Sequence, residues 1–210
     1  MPLPTFAPAA TPTPRPATLN RTQAAARLEL NPAGVDKLVK AGILGLPIKA
    51  DSIARLTGRE RLQVLDGELT VLRTDARASA DRDKYPDDRR TWMGFHVEHS
   101  DEDLEAASLR WWRSDMHRVV DNELFAVSVA TFPVAVYRIL GTAGSITRAD
   151  EDTPRHHYAG QLLARVHPGM EVTYPQDTPG HLRGLAKQIM HSRIVVASGG
   201  PIGYLEAKAD

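Results

Sequence analysis

Asn31, Ala33, Asp36, Lys37 and Lys40 are left outward by the expected packing of a helix that begins at Pro32. Their chemistry is that of groove reading. An Asn side chain can make two hydrogen bonds to adenine, Lys can donate to guanine or phosphate, and a small Ala permits close approach to the groove floor. Asp36 is the awkward member near phosphates, although Asp can accept from cytosine. Arg21, Arg27, Lys40 and Lys49 are the cations expected to meet phosphates, which set register and supply salt-dependent affinity without reading sequence. On this division Asn31, Ala33 and Lys37 read bases.

The elements that must position these side chains are two short helices, 22–30 and 32–42, in the stretch "LNRTQAAARLELNPAGVDKLVKAGIL". Thr22 and Asn31 are N-cap residue types, and Pro32 stands at a first helical position, where its missing N–H costs nothing. Gly42 follows the second helix as a left-handed stop. Ala24, Ala25 and Leu28 should pack against Leu30, Val35, Leu38 and Val39, leaving the reading face outward. A third helix is expected at 50–57, and alternating apolar runs around Asp66-Gly67 predict a β-hairpin over 62–73.

This stretch resembles the helix-turn-helix of the MerR and excisionase-like families. Thr22, Gln23, Ala24, Ala25, Leu28, Asn31, Pro32, Val35, Leu38, Ala41 and Gly42 match the pattern. The resemblance implies DNA binding through the helix at 32–40, and it draws Thr22 and Pro32 into the interface. It covers about 26 residues. Glu29 stands where the turn usually carries Gly, and "LPIKADSIAR" replaces the basic wing. The 50–57 helix or the 62–73 hairpin is the expected substitute for a wing.

Four segments follow from composition and patterning: a Pro-rich disordered tail at 1–18, a DNA-binding unit with its hairpin at 19–74, a charged linker at 75–90, and an α+β domain at 91–210. The overall class is α+β. In the last segment Ser100 caps a helix with an acidic first turn. "LFAVSVATFPVAVYRIL" reads as two paired strands or one bent strand, and 157–166, "RIVVASGG" and "IGYLEAK" as further strands around a helix in "GHLRGLAKQIM". Trp111 is expected in the core and Trp112 partly outside it. The order of these runs resembles a small α+β accessory module found beside nuclease and DNA-binding domains. Dimerisation, DNA contact or ligand sensing are the roles open to it.

The charge distribution supports the division. The chain carries 26 basic and 26 acidic side chains, yet residues 19–62 hold eight basic against four acidic, and 91–125 three against eight. A basic head thus precedes an acidic segment. Cysteine is absent, which removes thiolate metal sites and cysteine nucleophiles. The pairs His96/His99 and His156/His157 diverge if extended, so no metal or cofactor is expected. "LEAK" offers the Glu206/Lys208 pair of metal-dependent nucleases, but its partner carboxylate, at Pro86-Asp87, is remote in sequence. The expectation is a non-enzymatic, sequence-specific double-stranded DNA-binding protein. It would serve transcription or recombination, in the cytoplasm at the nucleoid, as a homodimer where operators are palindromic and without membrane contact. The rivals are a protein-interaction adaptor and a metal-dependent nuclease.

Overall fold

The computed structural model describes residues 17–207, except 84, 87 and 198; all but the last two residues of the Pro-rich tail lie outside the described residues. Near the start, β1 (Thr18–Leu19) pairs antiparallel with β2 (Ile48–Lys49) and brackets α1 (Arg21–Leu28) and α2 (Pro32–Lys40). α3 (Ala50–Thr57) follows at once, over the span expected. Ala24, Ala25, Leu28, Val35, Leu38, Ile53 and Leu56 are all buried, so the three helices close over one apolar centre. Each buried Leu, Val or Ile contributes about 1.5–3 kcal/mol.

The chain then enters a mixed six-stranded sheet through β3 (Glu68–Thr74). β4 (Ala78–Ser79) and β5 (Trp92–Met93) form a small ladder, and α4 (Asp101–Leu109) and α5 (Met116–Asp121) lead back to the sheet. β6 (Leu124–Val129), β7 (Phe132–Ile146), β8 (Arg155–His167) and β9 (Glu171–Thr173) form a meander, α6 (Gly180–Met190) follows, and β10 (Ile202–Glu206) closes the order β10-β3-β6-β7-β8-β9. β3 and β6 are parallel; every other neighbouring pair is antiparallel. A parallel pair needs a long crossover, which residues 75–123 supply.

The α+β class holds, but the hairpin at 62–73 does not form. Gly67 does turn the chain at φ +73, yet residues 62–65 do not pair with β3. β3 lies between β10 and β6, and Leu69, Thr70, Val71 and Leu72 are all buried. A run of consecutive buried residues needs cover on both faces, which a two-stranded hairpin cannot give. The expected unit 19–74 therefore ends inside the larger sheet, and one continuous apolar core runs from Ala24 to Ile202.

The 75–90 stretch carries, besides β4, the buried ion pair Asp88–Arg90 at 2.6 Å, whose arginine also donates to the carbonyl of Arg110. Of residues 92–97 only β5 is strand, and "RIVVASGG", expected as a strand, forms none among the described residues. The run 124–140 resolves into two paired strands. Their turn is Ala130-Thr131, both left-handed, at φ +47 and +77. The tryptophans exchange roles, because α4 ends at Leu109: Trp112 is buried, with its indole N–H donating to the carbonyl of Ser108 at 2.6 Å, and Trp111 is half-buried.

Candidate nucleic-acid interface

The turn between α1 and α2 consists of Glu29, Leu30 and Asn31. Glu29 ends α1 in the left-handed conformation (φ +53, ψ +41), and its N–H returns to the carbonyls of Ala25 and Ala26. The backbone thus takes the conformation for which glycine is the usual residue, here with a glutamate. Leu30 N–H reaches the carbonyl of Ala25 at 3.0 Å, which locks the reversal. Asn31 then caps α2: its Oδ1 accepts from Gly34 N–H at 2.8 Å, with Pro32 at the first helical position. At the far end Gly42, at φ +75, stops α2, and a Cβ built there would lie 2.6 Å from Val97 Cγ2. Only glycine suits both the dihedral and the space.

Thr22 does not cap α1. Asn20 does, through a reciprocal box: its Oδ1 accepts from Gln23 N–H at 2.9 Å, while Gln23 Oε1 accepts from Asn20 N–H at 3.0 Å. Asn followed three residues later by Gln was the sequence signal for this. Thr22 is left exposed on the first turn.

Pro32, Ala33, Lys37 and Lys40 are exposed on α2, with Asp36 half-buried beside them. Arg21 donates from Nε to Asp36, tying the start of α1 to the middle of α2. Arg21, Ala33, Asp36 and Lys40 therefore share one surface. Lys37 leans the other way, into an ion pair with Asp75 just beyond β3. Asn31, Gly34 and Lys37 line a cleft of about 600 Å³ between α2 and the sheet. Arg27 is exposed on the turn of α1 whose carbonyl meets Thr57 at the end of α3, at 3.5 Å. Lys49 is exposed in β2 opposite Thr18. The candidate residues thus form a group around Arg21 and α2, with Arg27 toward α3, Lys49 on the β1–β2 ladder, and Lys37 turned toward the sheet.

The positive charge of residues 19–62 is only partly available to an outside partner. Arg55 donates to the carbonyls of Gly169 and Met170 (3.1 and 3.3 Å), Arg59 to that of Met190 (3.0 Å), and Arg61 to that of Val195 (3.4 Å). Arg59 also lies over the Phe132 ring at 5.9 Å, and burial, with neighbouring Arg55, lowers its pKa from the ordinary value. These three arginines tie α3 and the segment after it to the 169–170 turn, the end of α6 and the chain at 195. The cations left facing outward are Arg21, Arg27, Lys37, Lys40 and Lys49, of which Arg21 and Lys37 are engaged by aspartates. Asp75, 38 positions from Lys37, carried no local sequence signal.

Among the described residues no group of three His, Asp or Glu side chains stands ready to hold a metal ion. Glu206 meets a carboxylate close by, though one different from the residue sequence reasoning considered: it is opposite Glu68 across β10 and β3. Arg118 binds both carboxylates and stacks over Tyr204 at 3.9 Å. Asn122 adds a hydrogen bond to Glu68 at 2.6 Å. Chemically this is an ion-pair network in which one guanidinium sits between two acids. Residue 87 and Lys208 lie outside the described residues. Among the described residues no helix is long and apolar enough to cross a membrane. No family model matches the chain, and neither a curated protein nor a solved structure does.

Proposed function

We propose that the chain binds double-stranded DNA in a sequence-dependent manner, with α1 and α2 acting as a helix-turn-helix of the MerR and excisionase-like kind. The supporting observation is the doubly capped helix pair: a three-residue turn closed by Glu29 and Asn31 holds α2 with Ala33, Lys37 and Lys40 exposed along it. Presented to a major groove, Asn31, Ala33 and Lys37 read bases, with Asp36 as an acceptor toward cytosine. Arg21, Arg27, Lys40 and Lys49 meet phosphates, and Thr22 and Pro32 line the approach. The biological role is transcriptional regulation or assistance to recombination at the nucleoid, and a homodimer is the expected form on a palindromic operator.

The test is selection from random duplexes by the full chain at about 150 mM salt, a concentration that suppresses non-specific contacts. An enriched motif lost in Lys37→Ala supports the reading, and two half-sites a helical turn apart report a dimer. No enrichment by folded protein, at low salt as well, transfers the helix pair to the role of a protein-docking surface. A second reading has one observation behind it: Glu68 supplies the neighbouring carboxylate that a nuclease site at Glu206 requires. It is tested by duplex cleavage with magnesium or manganese that disappears in Glu206→Ala.

A further inference from the structure

The cleft between α2 and the sheet combines three features. It opens beyond the carboxyl ends of β3 and β6, the one parallel pair of the sheet, and its walls include Arg73, Asp75, Ser128 and Thr131 from those ends. Crevices outside the carboxyl ends of parallel strands are favoured ligand sites, because the strands diverge there into separate connections. The second feature is backbone strain. Five described non-glycine residues have positive φ, and three of them, Glu29, Ala130 and Thr131, line this cleft. Thr131 is β-branched at φ +77, a conformation such residues rarely adopt, and strain of this sort collects at binding and switch sites. The third is polar chemistry. Among the described residues the buried Thr131 Oγ1 has no hydrogen-bond partner, Asn31 commits its oxygen to the cap but not its amide donors, and Lys37 Nζ is held by the exposed Asp75 alone. Leu30, Ile194, Val195 and Val196 complete the wall with apolar surface.

Two other clefts are larger, about 810 and 900 Å³, and flank the 61–65 segment. The larger also holds an unpartnered buried hydroxyl, that of Tyr204, but neither is lined by a strained non-glycine residue or by the carboxyl ends of the parallel strands.

We infer that the α2–sheet cleft is a binding site for a small organic anion, one carboxylate or phosphate group on an apolar body. The anionic group takes Lys37 from Asp75 and accepts from Asn31 Nδ2; Thr131 Oγ, shielded from solvent at rest, donates to it after rotation about χ1, while the body lies on the Leu30 and Ile194–Val196 wall. A cleft of about 600 Å³ is within the usual range for small-molecule sites. Resting on the DNA-binding reading, the site is also a regulatory one: the anion occupies the lysine that α2 offers to DNA, so anion and DNA weaken each other's binding by the same factor.

The test uses benzoate and phenyl phosphate as probes, which share a ring and differ in the anionic group, with neutral benzamide as control. Amide chemical shifts of the full chain are followed up to about 20 mM probe, enough to see millimolar affinity. The expected result is saturable shifts at Gly34, Thr131 and Gly200 with at least one anion and none with benzamide. Binding should be weakened about tenfold or more in both Lys37→Gln and Thr131→Val, the latter keeping shape while losing the hydroxyl. Whichever anion saturates identifies the head group. No saturable shift with either anion, equal shifts with benzamide, or undiminished binding in both variants overturns the site. Because these titrations contain no DNA, they are decided separately from the duplex selection. Loss of the DNA reading would leave the ligand site standing and remove only its coupling.

Discussion

Asp75→Asn is the perturbation that most directly probes how the head is held. Asparagine keeps the shape of the side chain and the backbone carbonyl that accepts from Phe95 N–H at 2.9 Å, but gives up the charge that engages Lys37. Both partners are well exposed, with 46% of the lysine and 69% of the aspartate side chain accessible, so the pair is an ordinary surface ion pair. Such pairs contribute about 0.2–1 kcal/mol. On the proposed reading DNA must break this contact to use Lys37, so removing it should tighten binding by roughly 1.4- to 5-fold at equal salt. The assay is fluorescence anisotropy on a duplex carrying the selected motif at about 150 mM salt, with Lys37→Ala and the double variant measured beside it. The gain should vanish when Lys37 is already alanine, because the cycle isolates the pair. Equal gain in the Lys37→Ala background would mean that Asp75 acts only through its general repulsion of phosphates. No gain at all would mean that Lys37 does not meet DNA.

Three other outcomes are expected. Lys40→Ala should weaken binding to motif and non-motif duplexes alike and lower the slope of log K against log salt by about 0.9, as for one lost phosphate contact; a change confined to one base position would make Lys40 a reader instead. Gly42→Ala should cost on the order of 2–5 kcal/mol in denaturant unfolding, from a left-handed alanine together with the overlap on Val97. An unchanged midpoint would show that the α2 stop and the 97 segment give way cheaply. Glu68 has its pKa lowered from 4.5, first by the Arg118 hydrogen bond. Its stabilising contribution is therefore present above the unfolded value and fades as pH falls below about 4.5 through the folded one. Glu68→Gln should flatten that part of the pH–stability curve, and an unaltered curve would assign the acid sensitivity to other carboxylates.

The α1–α2 pair and α3 were legible because their determinants are local. Asn31-Pro32 starts α2, Gly42 stops it, and the 3.6-residue spacing of Ala24, Leu28, Val35 and Leu38 declares the buried face. β6, β7, β8, α6 and β10 announced themselves through apolar periodicity in the same way. The false hairpin at 62–73 shows the boundary of such reasoning. Asp66-Gly67 does turn the chain, but a turn residue says nothing about which strand becomes the neighbour. β3 pairs with β6 and β10, which lie about 55 and 130 positions further on, and its four consecutive buried residues sit inside the six-stranded sheet.

By itself, then, the amino-acid order determined the capped helix pair, the exposed stripe of Ala33, Lys37 and Lys40, and the α+β class, since caps, periodicity and turn dihedrals act within a few residues. The tertiary structure alone decided what surrounds that stripe. It spent Arg55, Arg59 and Arg61 on carbonyls of the sheet half, placed Asp75 on Lys37, brought Glu68 beside Glu206, and set the strained Ala130-Thr131 turn against α2 to leave a cleft. Each of these joins residues far apart in the chain. Their pairing depends on which surfaces bury one another in the common core, and local chemistry does not encode that choice.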